Sequence, residues 1–208
     1  MSSAGKAGHR LSLHAVVLAA GGSVRFGSPK PLIRIAGQSL LIEIIARAAQ
    51  ITGPRVCVVL GASAEAIAPI VVESGASAIV NPDWREGMSS SIRAGISQLP
   101  GDADAVLLLL VDQPLIVAAD LLRLETAWRH KPERPAAAEF SGIRGAPAIF
   151  PRALFPELLA LRGDRGAQQI LERHCDGLTA VPMENAALDV DTPEDLERLG
   201  TLPTRHKR

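Results

Sequence analysis

The sequence predicts an α/β protein in three layers, with a mostly parallel β-sheet covered by helices on both faces. Short runs of consecutive apolar residues recur along the chain, which is typical of strands buried on both faces. Segments with helical periodicity separate these runs. This regular alternation favours parallel strands joined by helical crossovers.

The first half of the chain contains four predicted strands and three predicted helices. The first strand covers residues 13–20 and ends at a pair of glycines, Gly21 and Gly22. Ser39 stands where a capping residue would begin the first helix. The other strands are predicted at 55–60, 77–80 and 105–111, and the helices at 39–50, 62–73 and 89–98.

The second half continues this pattern after Asp112. Two short apolar stretches, 136–140 and 146–150, flank a turn-like segment, so they form either a hairpin or an added edge of the sheet. The last helix starts favourably, because Thr192 can cap it and Pro193 occupies its first position. Helices are predicted at 117–130, 152–161, 166–174 and 192–199, and a strand at 178–182.

Composition indicates one globular domain without a large charged surface. Of the 208 residues, 47% are hydrophobic and 21% are charged, close to the average for globular proteins. We expect a single domain over residues 11–203, with disordered tails at 1–10 and 204–208. Lys plus Arg and Asp plus Glu number 22 each, so the chain lacks the excess positive charge that binds nucleic acids or anionic membranes. Neither is expected as a partner.

The sequence also predicts a cytoplasmic location. The opening residues lack the apolar core of a signal peptide, and no apolar run reaches the roughly 20 residues of a membrane helix. Two cysteines, Cys57 and Cys175, are too few for a disulfide framework, and we expect both to be core residues.

A glycine-rich segment after the first strand, LAAGGSVRFGSPKPL at 18–32, predicts a phosphate-binding turn. Such a turn presents backbone N–H groups to an anion, and Arg25 and Lys30 add positive charge. It is not a P-loop, because Ser28 follows Gly27 where that loop has lysine, and the GxGxxG spacing of dinucleotide-binding turns is absent. The alternative is an ordinary connecting loop with two solvated cations.

Three aspartates are candidates for a metal site. Asp112 follows a predicted strand, and the carboxyl ends of parallel strands line the ligand crevice of an open sheet. A Mg²⁺ ion that bridges phosphate oxygens prefers such oxygen ligands. Asp189 and Asp191 can complete the site, since residues two apart on an extended segment face the same way. For Asp191 the alternative is a structural role near the start of the last helix.

Six segments, in order, resemble the signature motifs of the nucleotidyltransferases that act on the molybdenum cofactor, and in particular of the molybdenum cofactor cytidylyltransferases. Each motif alone is weak, but the ordered set covers nearly the whole chain and is specific. The segments are LAAGGSVRFGSPK (18–30), GMSSSIRAGI (87–96), VDQP (111–114), GIRGAPAIF (142–150), GDRGA (163–167) and LDVDTPEDL (188–196).

This resemblance implies a Rossmann-like nucleotidyltransferase fold and a reaction. The reaction is the Mg²⁺-dependent transfer of CMP from CTP to the phosphate of the molybdopterin-bound molybdenum cofactor, with release of pyrophosphate. A recipient molybdoenzyme or its chaperone would be a further partner.

The resemblance also implies roles for individual residues. Arg25, Lys30 and Asp112 would be catalytic, and Asp112, Asp191 and Asp189 would hold the metal. The nucleotide would contact Leu18, Ala19, Ala20, Gly21, Gly22, Ser23, Arg25, Lys30, Ser91 and Asp112, with Ser89 and Ser90 nearby. The pterin substrate would contact Arg144, Gly145, Pro147, Asp164 and Arg165.

The identity of the nucleotide and that of the acceptor phosphate each have alternatives. Relatives that transfer GMP tend to carry a second glycine where Ala20 stands, so the extra methyl group favours the smaller pyrimidine of CTP. Transfer from GTP, or to another small phosphate such as a sugar or polyol phosphate, is the nearest alternative. A non-catalytic carrier of the molybdenum cofactor is a third, although a carrier would not need a metal site and a group that binds pyrophosphate.

Overall fold

The computed structural model confirms the three-layer α/β fold and describes residues 11–22, 29–35 and 37–201. The predicted tails 1–10 and 204–208, and the predicted site residues Ser23 and Arg25, lie outside the described residues.

Within the described part of the chain, seven strands form one sheet and two short strands form a separate ribbon. The order across the sheet is β5-β4-β1-β6-β8-β7-β9, and β8 alone runs against its neighbours β6 and β7. The sheet strands are β1 (Leu13–Ala19), β4 (Val56–Leu60), β5 (Ser77–Val80), β6 (Ala105–Leu110), β7 (Ala136–Phe140), β8 (Ile143–Pro151) and β9 (Thr179–Pro182), and the ribbon consists of β2 (Arg34–Ile35) and β3 (Gln38–Ser39).

Seven α-helices and four short 3-10 turns connect these strands within the described residues. The helices are α1 (Leu40–Thr52), α2 (Ala64–Glu73), α3 (Met88–Ser97), α4 (Ala118–His130), α5 (Phe155–Leu159), α6 (Gln168–Arg173) and α7 (Pro193–Thr201). The 3-10 turns are Lys30–Leu32, Trp84–Glu86, Arg152–Leu154 and Glu184–Ala187. The predicted helix at 152–161 is thus a 3-10 turn followed by the short α5.

Two buried cores cover the two faces of the sheet. Alternate residues of β1 point to opposite faces, so Ala15 and Val17 join one core while Val16 and Leu18 join the other. Helices α1, α2 and α4 pack on the first face, and α3, α5 and α6 on the second. The strand at 77–80 is not buried on both faces as its apolar sequence predicts, because β5 lies at the edge of the sheet.

Gly95 sets the position of α3 on the sheet. A Cβ atom at this glycine would lie 2.6 Å from Cγ1 of Val16 on β1 and 3.1 Å from Cγ2 of Val59 on β4. The first distance is shorter than real Cβ contacts and the second is tight, so glycine allows the helix to approach both strands closely. This close packing brings the start of α3 to the carboxyl edge of the sheet.

The stretches 136–140 and 146–150 form a hairpin, one of the two predicted arrangements, and it lies within the sheet instead of at its edge. Ser141 and Gly142 both have positive φ, at 49° and 75°, which suits a tight turn between antiparallel strands. Strand β8 pairs with β6, and β9 pairs with β7 beyond the hairpin.

Two predictions about side chains are wrong. Ser39 begins α1, but its hydroxyl donates a 2.7 Å hydrogen bond to the carbonyl oxygen of Pro31 instead of capping the helix. Cys175 is exposed, because α6 ends at Arg173 and the cysteine falls on the following surface turn; Cys57 on β4 is half-buried. Among the described helices, none combines the length and the apolar character needed to cross a membrane.

Candidate active site

A cleft of about 1080 Å³ opens at the carboxyl edge of the parallel strands. This is the edge where open α/β sheets bind ligands. The lining residues come from the ends of β1 and β6, the 3-10 turn Lys30–Leu32, the connection from β5 into α3, the connection between α5 and α6, and the segment before α7. They are Leu18, Ala19, Ala20, Gly21, Gly22, Lys30, Pro31, Trp84, Arg85, Gly87, Met88, Ser91, Leu110, Val111, Asp112, Asp164 and Asp191.

The glycine-rich turn forms one wall of this cleft. Ala20 is buried, whereas Gly21 and Gly22 are exposed to the cleft. A Cβ atom at Gly61, which follows β4, would lie 2.3 Å from the carbonyl oxygen of Ala20 and 2.8 Å from Cβ of Trp84. Glycine at position 61 therefore lets Ala20 and Trp84 pack closely against the end of β4. This packing fixes the position of Ala20 in the wall of the cleft.

Lys30, Asp112 and Asp191 meet at the edge of the cleft. Nζ of Lys30 lies 3.4 Å from Oδ2 of Asp112 and also forms an ion pair and hydrogen bond with Oδ1 of Asp191. The side chains of Lys30 and Asp112 are 17% and 25% exposed, while that of Asp191 is 54% exposed. A single ammonium group thus joins two carboxylates from separate parts of the chain.

The electrostatics of these carboxyl groups favour a cation. Burial raises the pKa of Asp112, and the charge of Lys30 offsets only part of that effect. Burial of Lys30 would lower its pKa, but its hydrogen bond to Asp191 and the charge of Asp112 outweigh burial, so the pKa of Lys30 is raised. Oδ1 of Asp112 is buried and has no hydrogen-bond partner among the described residues. That oxygen is available to a ligand.

Asp189 and Asp191 lie on the segment between the last 3-10 turn and α7. Val190 between them is fully buried, and its amide donates a 2.8 Å hydrogen bond to the carbonyl oxygen of Asp112. Burial and the charges of Asp112 and Asp191 raise the pKa of Asp189 to about 6. Asp191 pairs with Lys30, whereas Asp189 is not among the residues that line the cleft.

The start of α7 is capped as predicted. The amide of Thr192 donates to Oδ2 of Asp195 at 2.9 Å, and the amide of Asp195 lies 3.4 Å from the hydroxyl of Thr192. The amide of Asp191 also donates to Asp195, at 3.0 Å. Because Thr192 and Asp195 cap the helix, the Asp191 carboxylate is left for the cleft.

The three serines at the start of α3 have separate surroundings. All three are buried, and only Ser91 lines the cleft. Asn81, just after β5, donates hydrogen bonds to the hydroxyls of Ser90 at 2.9 Å and Ser91 at 3.1 Å. Asn81 therefore orients two of the serines, a role that the sequence analysis missed; its only signal was a polar residue directly after a strand.

The segment 163–165 packs against the start of α3. The amide of Ser89 donates a 3.1 Å hydrogen bond to the carbonyl oxygen of Gly163. Asp164 lines the cleft and lies so close to Gly87 that a Cβ atom there would be 1.8 Å from Oδ1 of Asp164. Arg165 instead forms two hydrogen bonds with Glu172, at 2.6 and 2.9 Å.

The predicted pterin-binding residues Arg144, Gly145 and Pro147 on β8 are not among the residues that line the described cleft. Nε of Arg144 lies 3.3 Å from Oε1 of Glu139. The strand is nevertheless tied to the site, because the side-chain amide of Gln113 donates to the carbonyl oxygen of Ala146 at 3.1 Å.

Seven residues that line the cleft are not among the predicted site residues; they are Pro31, Trp84, Arg85, Gly87, Met88, Leu110 and Val111. The Arg85 guanidinium lies 4.4 Å from the centre of the Trp84 ring, within the range of a cation–π contact. The only sequence signal for Trp84 and Arg85 was their place in the short connection between β5 and α3.

The chain resembles known proteins over most of its length. A family model described as a MobA-like NTP transferase domain matches residues 15–178. Nicotine blue oxidoreductase of Paenarthrobacter nicotinovorans is 33% identical over 201 residues, which cover 88% of this chain and 94% of that protein.

Solved structures are also similar to this chain over most of its length. The crystal structure of Rv0371c from Mycobacterium tuberculosis H37Rv matches with a TM-score of 0.79 and 29% identity, covering 91% of this chain and 97% of that one. A crystal structure of Rv0371c in complex with manganese matches with a TM-score of 0.75 and 27% identity, covering 90% and 97% of the two chains.

The open α/β sheet and the cleft at its carboxyl edge, together with these matches, define a nucleotidyltransferase. Within that class, the chain belongs to the family of MobA-like NTP transferase domains.

Proposed function

We propose that this protein transfers CMP from CTP to the phosphate of the molybdopterin-bound molybdenum cofactor and releases pyrophosphate. The observation that carries nucleotidyl transfer is the convergence of Lys30, Asp112 and Asp191 beside the glycine-rich turn. This arrangement combines a cation, two carboxylates and exposed backbone around one cleft, which is what a triphosphate and its metal ion require.

The carboxylates fit a divalent metal ion. Asp112 offers a buried oxygen, Oδ1, that has no partner among the described residues, and Asp191 contacts the same Lys30 ammonium group as Asp112 does. Hard cations such as Mg²⁺ and Mn²⁺ bind such oxygens, and the manganese complex of Rv0371c supports a divalent ion in this family. We propose Mg²⁺ as the ion, held by Asp112 and Asp191 with Asp189 nearby. When bound, it would neutralise negative charge on the triphosphate.

The chain's own residues would position the reactants. An oxygen of the acceptor phosphate attacks the α-phosphorus of CTP and forms a new P–O bond. The bond from that phosphorus to the β-phosphate oxygen breaks, and its electron pair leaves with pyrophosphate. Lys30 would stabilise the charge on the leaving group, and the backbone of Gly21 and Gly22 would bind phosphate oxygens. Arg25 is proposed as a second cation. No protein nucleophile is needed.

Selection of CTP is proposed to depend on Ala20. Its side chain is 6% exposed, and its carbonyl oxygen is held close to Gly61. The wall of the cleft therefore cannot move back easily at this point, which would disfavour the larger purine. Asp164, which lines the cleft beside Gly87, is proposed to contact the acceptor, together with Arg144, Gly145, Pro147 and Arg165.

Pyrophosphate release tests this function. The purified protein is incubated with each of the four common nucleoside triphosphates, with Mg²⁺ or Mn²⁺, and with or without molybdopterin-bound molybdenum cofactor. We expect acceptor-dependent release from CTP and a product whose mass has increased by one CMP. Preference for GTP would show that the protein transfers GMP and not CMP. Binding of the acceptor without release from any nucleotide would favour a carrier.

A redox reaction is the second candidate, and it is favoured by one observation, the 33% identity to a protein named as an oxidoreductase. Neither described cysteine lines the cleft, so such a reaction would need an added electron donor. Oxidation of reduced nicotinamide cofactor in the same incubations, without pyrophosphate release, would favour this candidate over nucleotidyl transfer.

A further inference from the structure

The ammonium group of Lys30 occupies the position between Asp112 and Asp191. It contacts Oδ2 of Asp112 and Oδ1 of Asp191, one oxygen from each carboxylate. The two aspartates belong to different elements, since one follows β6 and the other precedes α7. Lys30 itself begins the 3-10 turn after the glycine-rich segment. One side chain therefore holds three distant segments of the cleft together.

A divalent ion held between the two carboxylates would use Oδ1 of Asp191, which Lys30 contacts, and one or both oxygens of Asp112, of which Oδ2 contacts Lys30. A metal ion needs direct contact with carboxylate oxygens at about 2 to 2.5 Å, and an ammonium group hydrogen-bonded to those oxygens occupies the same space. The lysine and the ion are both positive, so they also repel each other. The Lys30 ammonium group and a metal ion therefore compete for the position between Asp112 and Asp191.

Charge balance gives the reason for such an arrangement. The negative charge of the partly buried Asp112, close to that of the more exposed Asp191, is costly without a cation, and Lys30 supplies one positive charge. A divalent ion would neutralise both carboxylates and release the lysine. The released ammonium group would then be available to the phosphates of the nucleotide.

We propose that Lys30 is an exchangeable counter-ion, which holds the metal site closed in the absence of metal and nucleotide and moves to the phosphates when both bind. This inference rests on the proposed metal site and deepens it. It means that metal binding and nucleotide binding favour each other, because both take part in breaking the same ion pairs.

Binding of Mn²⁺ alone tests the proposal without any catalytic step. Free Mn²⁺ is measured by electron paramagnetic resonance during titration of the wild type, Lys30→Met and Lys131→Met. Methionine retains much of the length of the lysine chain and removes its charge. Lys131 is an exposed lysine beside α4 and provides the matched control. We expect Lys30→Met to bind Mn²⁺ about tenfold more tightly than the wild type, and Lys131→Met to match the wild type.

Thermal stability provides a second measurement. Without metal, Lys30→Met should melt below the wild type, because Asp112 and Asp191 lose their counter-ion. Addition of Mn²⁺ should then raise its melting temperature by more than it raises that of the wild type, since tighter binding to the folded state stabilises it more.

Two results overturn the inference, and they are distinguishable. If Lys30→Met and the wild type bind Mn²⁺ equally while Asp112→Asn has lost binding, the metal site stands and Lys30 does not compete for it. If Asp112→Asn binds Mn²⁺ as well as the wild type does, the proposed metal site is itself wrong, and the exchange at Lys30 is wrong with it.

Discussion

The amide of Val190 donates a 2.8 Å hydrogen bond to the carbonyl oxygen of Asp112. This bond joins the end of β6 to the segment before α7 through the main chain alone. It fixes the distance between the Asp112 and Asp191 segments without using either carboxylate. The side chains can therefore be changed while the backbone of the site is retained.

Replacement of Asp112 by asparagine should remove activity and preserve the fold. Asparagine keeps the shape and the main-chain bond to Val190, but it removes the charge that would bind the metal. We expect turnover to fall by about a hundredfold or more. The melting temperature should change little, because burial already disfavours the charged form of Asp112, as its raised pKa indicates. Asp176→Asn, on the exposed turn after α6, is the matched control. Near-normal turnover of Asp112→Asn at limiting metal would contradict the role of this residue.

Lys30→Ala should impair the chemical step more than binding of the acceptor. Negative charge on the leaving pyrophosphate grows in the transition state, so loss of a cation beside it lowers kcat. We expect kcat to fall by about a hundredfold while the KM for the acceptor changes little. Steady-state kinetics with the acceptor varied at saturating CTP measures both constants. A large rise in the acceptor KM with normal kcat would instead place Lys30 on the acceptor.

Ala20→Gly should weaken the preference for CTP over GTP. Removal of one methyl group widens the cleft beside the turn, and a difference of this size is worth about 1 to 3 kcal/mol. We expect the ratio of the two kcat/KM values to fall by about tenfold without full reversal. Both nucleotides are assayed with the same preparations, so the ratio is independent of the active fraction of each preparation. An unchanged ratio would show that Ala20 does not select the base.

Gly95→Ala should destabilise the protein although alanine favours helices. The new methyl group would meet Val16 and Val59 at distances of 2.6 and 3.1 Å in a buried region. Overpacking of this kind costs about 1 to 3 kcal/mol, which outweighs the helical gain of up to about 1 kcal/mol. We expect the melting temperature to fall by about 2 to 8 °C. Gly101→Ala, where no atom lies within 4 Å of the added Cβ, should have little effect. The double variant with Val16→Ala should recover stability if the clash is the cause.

The two cysteines should differ in reactivity and in their effect at alkaline pH. Burial raises the pKa of Cys57 from 9.0 to about 12, while Cys175 is exposed. At about pH 8, iodoacetamide should therefore label Cys175 and leave Cys57 unmodified, because the thiolate is the reactive form. Peptide mass spectrometry identifies the labelled residue.

The raised pKa of Cys57 also makes the stability of the folded protein depend on pH. The unfolded chain loses the Cys57 proton near pH 9.0, whereas the folded chain retains it up to about pH 12. The stabilising contribution is complete below pH 9.0 and is lost as pH rises between these values. We expect unfolding by urea to become easier over that range in the wild type, and less so in Cys57→Ala. Equal pH dependence in both proteins would contradict the raised pKa.

The sequence by itself determined the layers of the fold and the edge of the sheet that carries the site. Apolar runs buried on both faces require cover on both sides, and parallel strands place their carboxyl ends along one edge. These two rules place the glycine-rich turn and Asp112 at the same edge of the sheet. Burial of apolar strands is a local pattern, so it can be read from consecutive residues.

Only the tertiary structure decided which side chains meet in the cleft. Lys30 lies between Asp112 and Asp191, Trp84 packs beside Gly61, and Arg165 pairs with Glu172. It also decided that β8 enters the sheet in the opposite direction, next to β6. These relationships join residues far apart in the chain, and they depend on strand order, on close packing and on side-chain geometry. No local pattern of residues contains that information, because several partners of suitable charge or size are available to each side chain until the chain is packed.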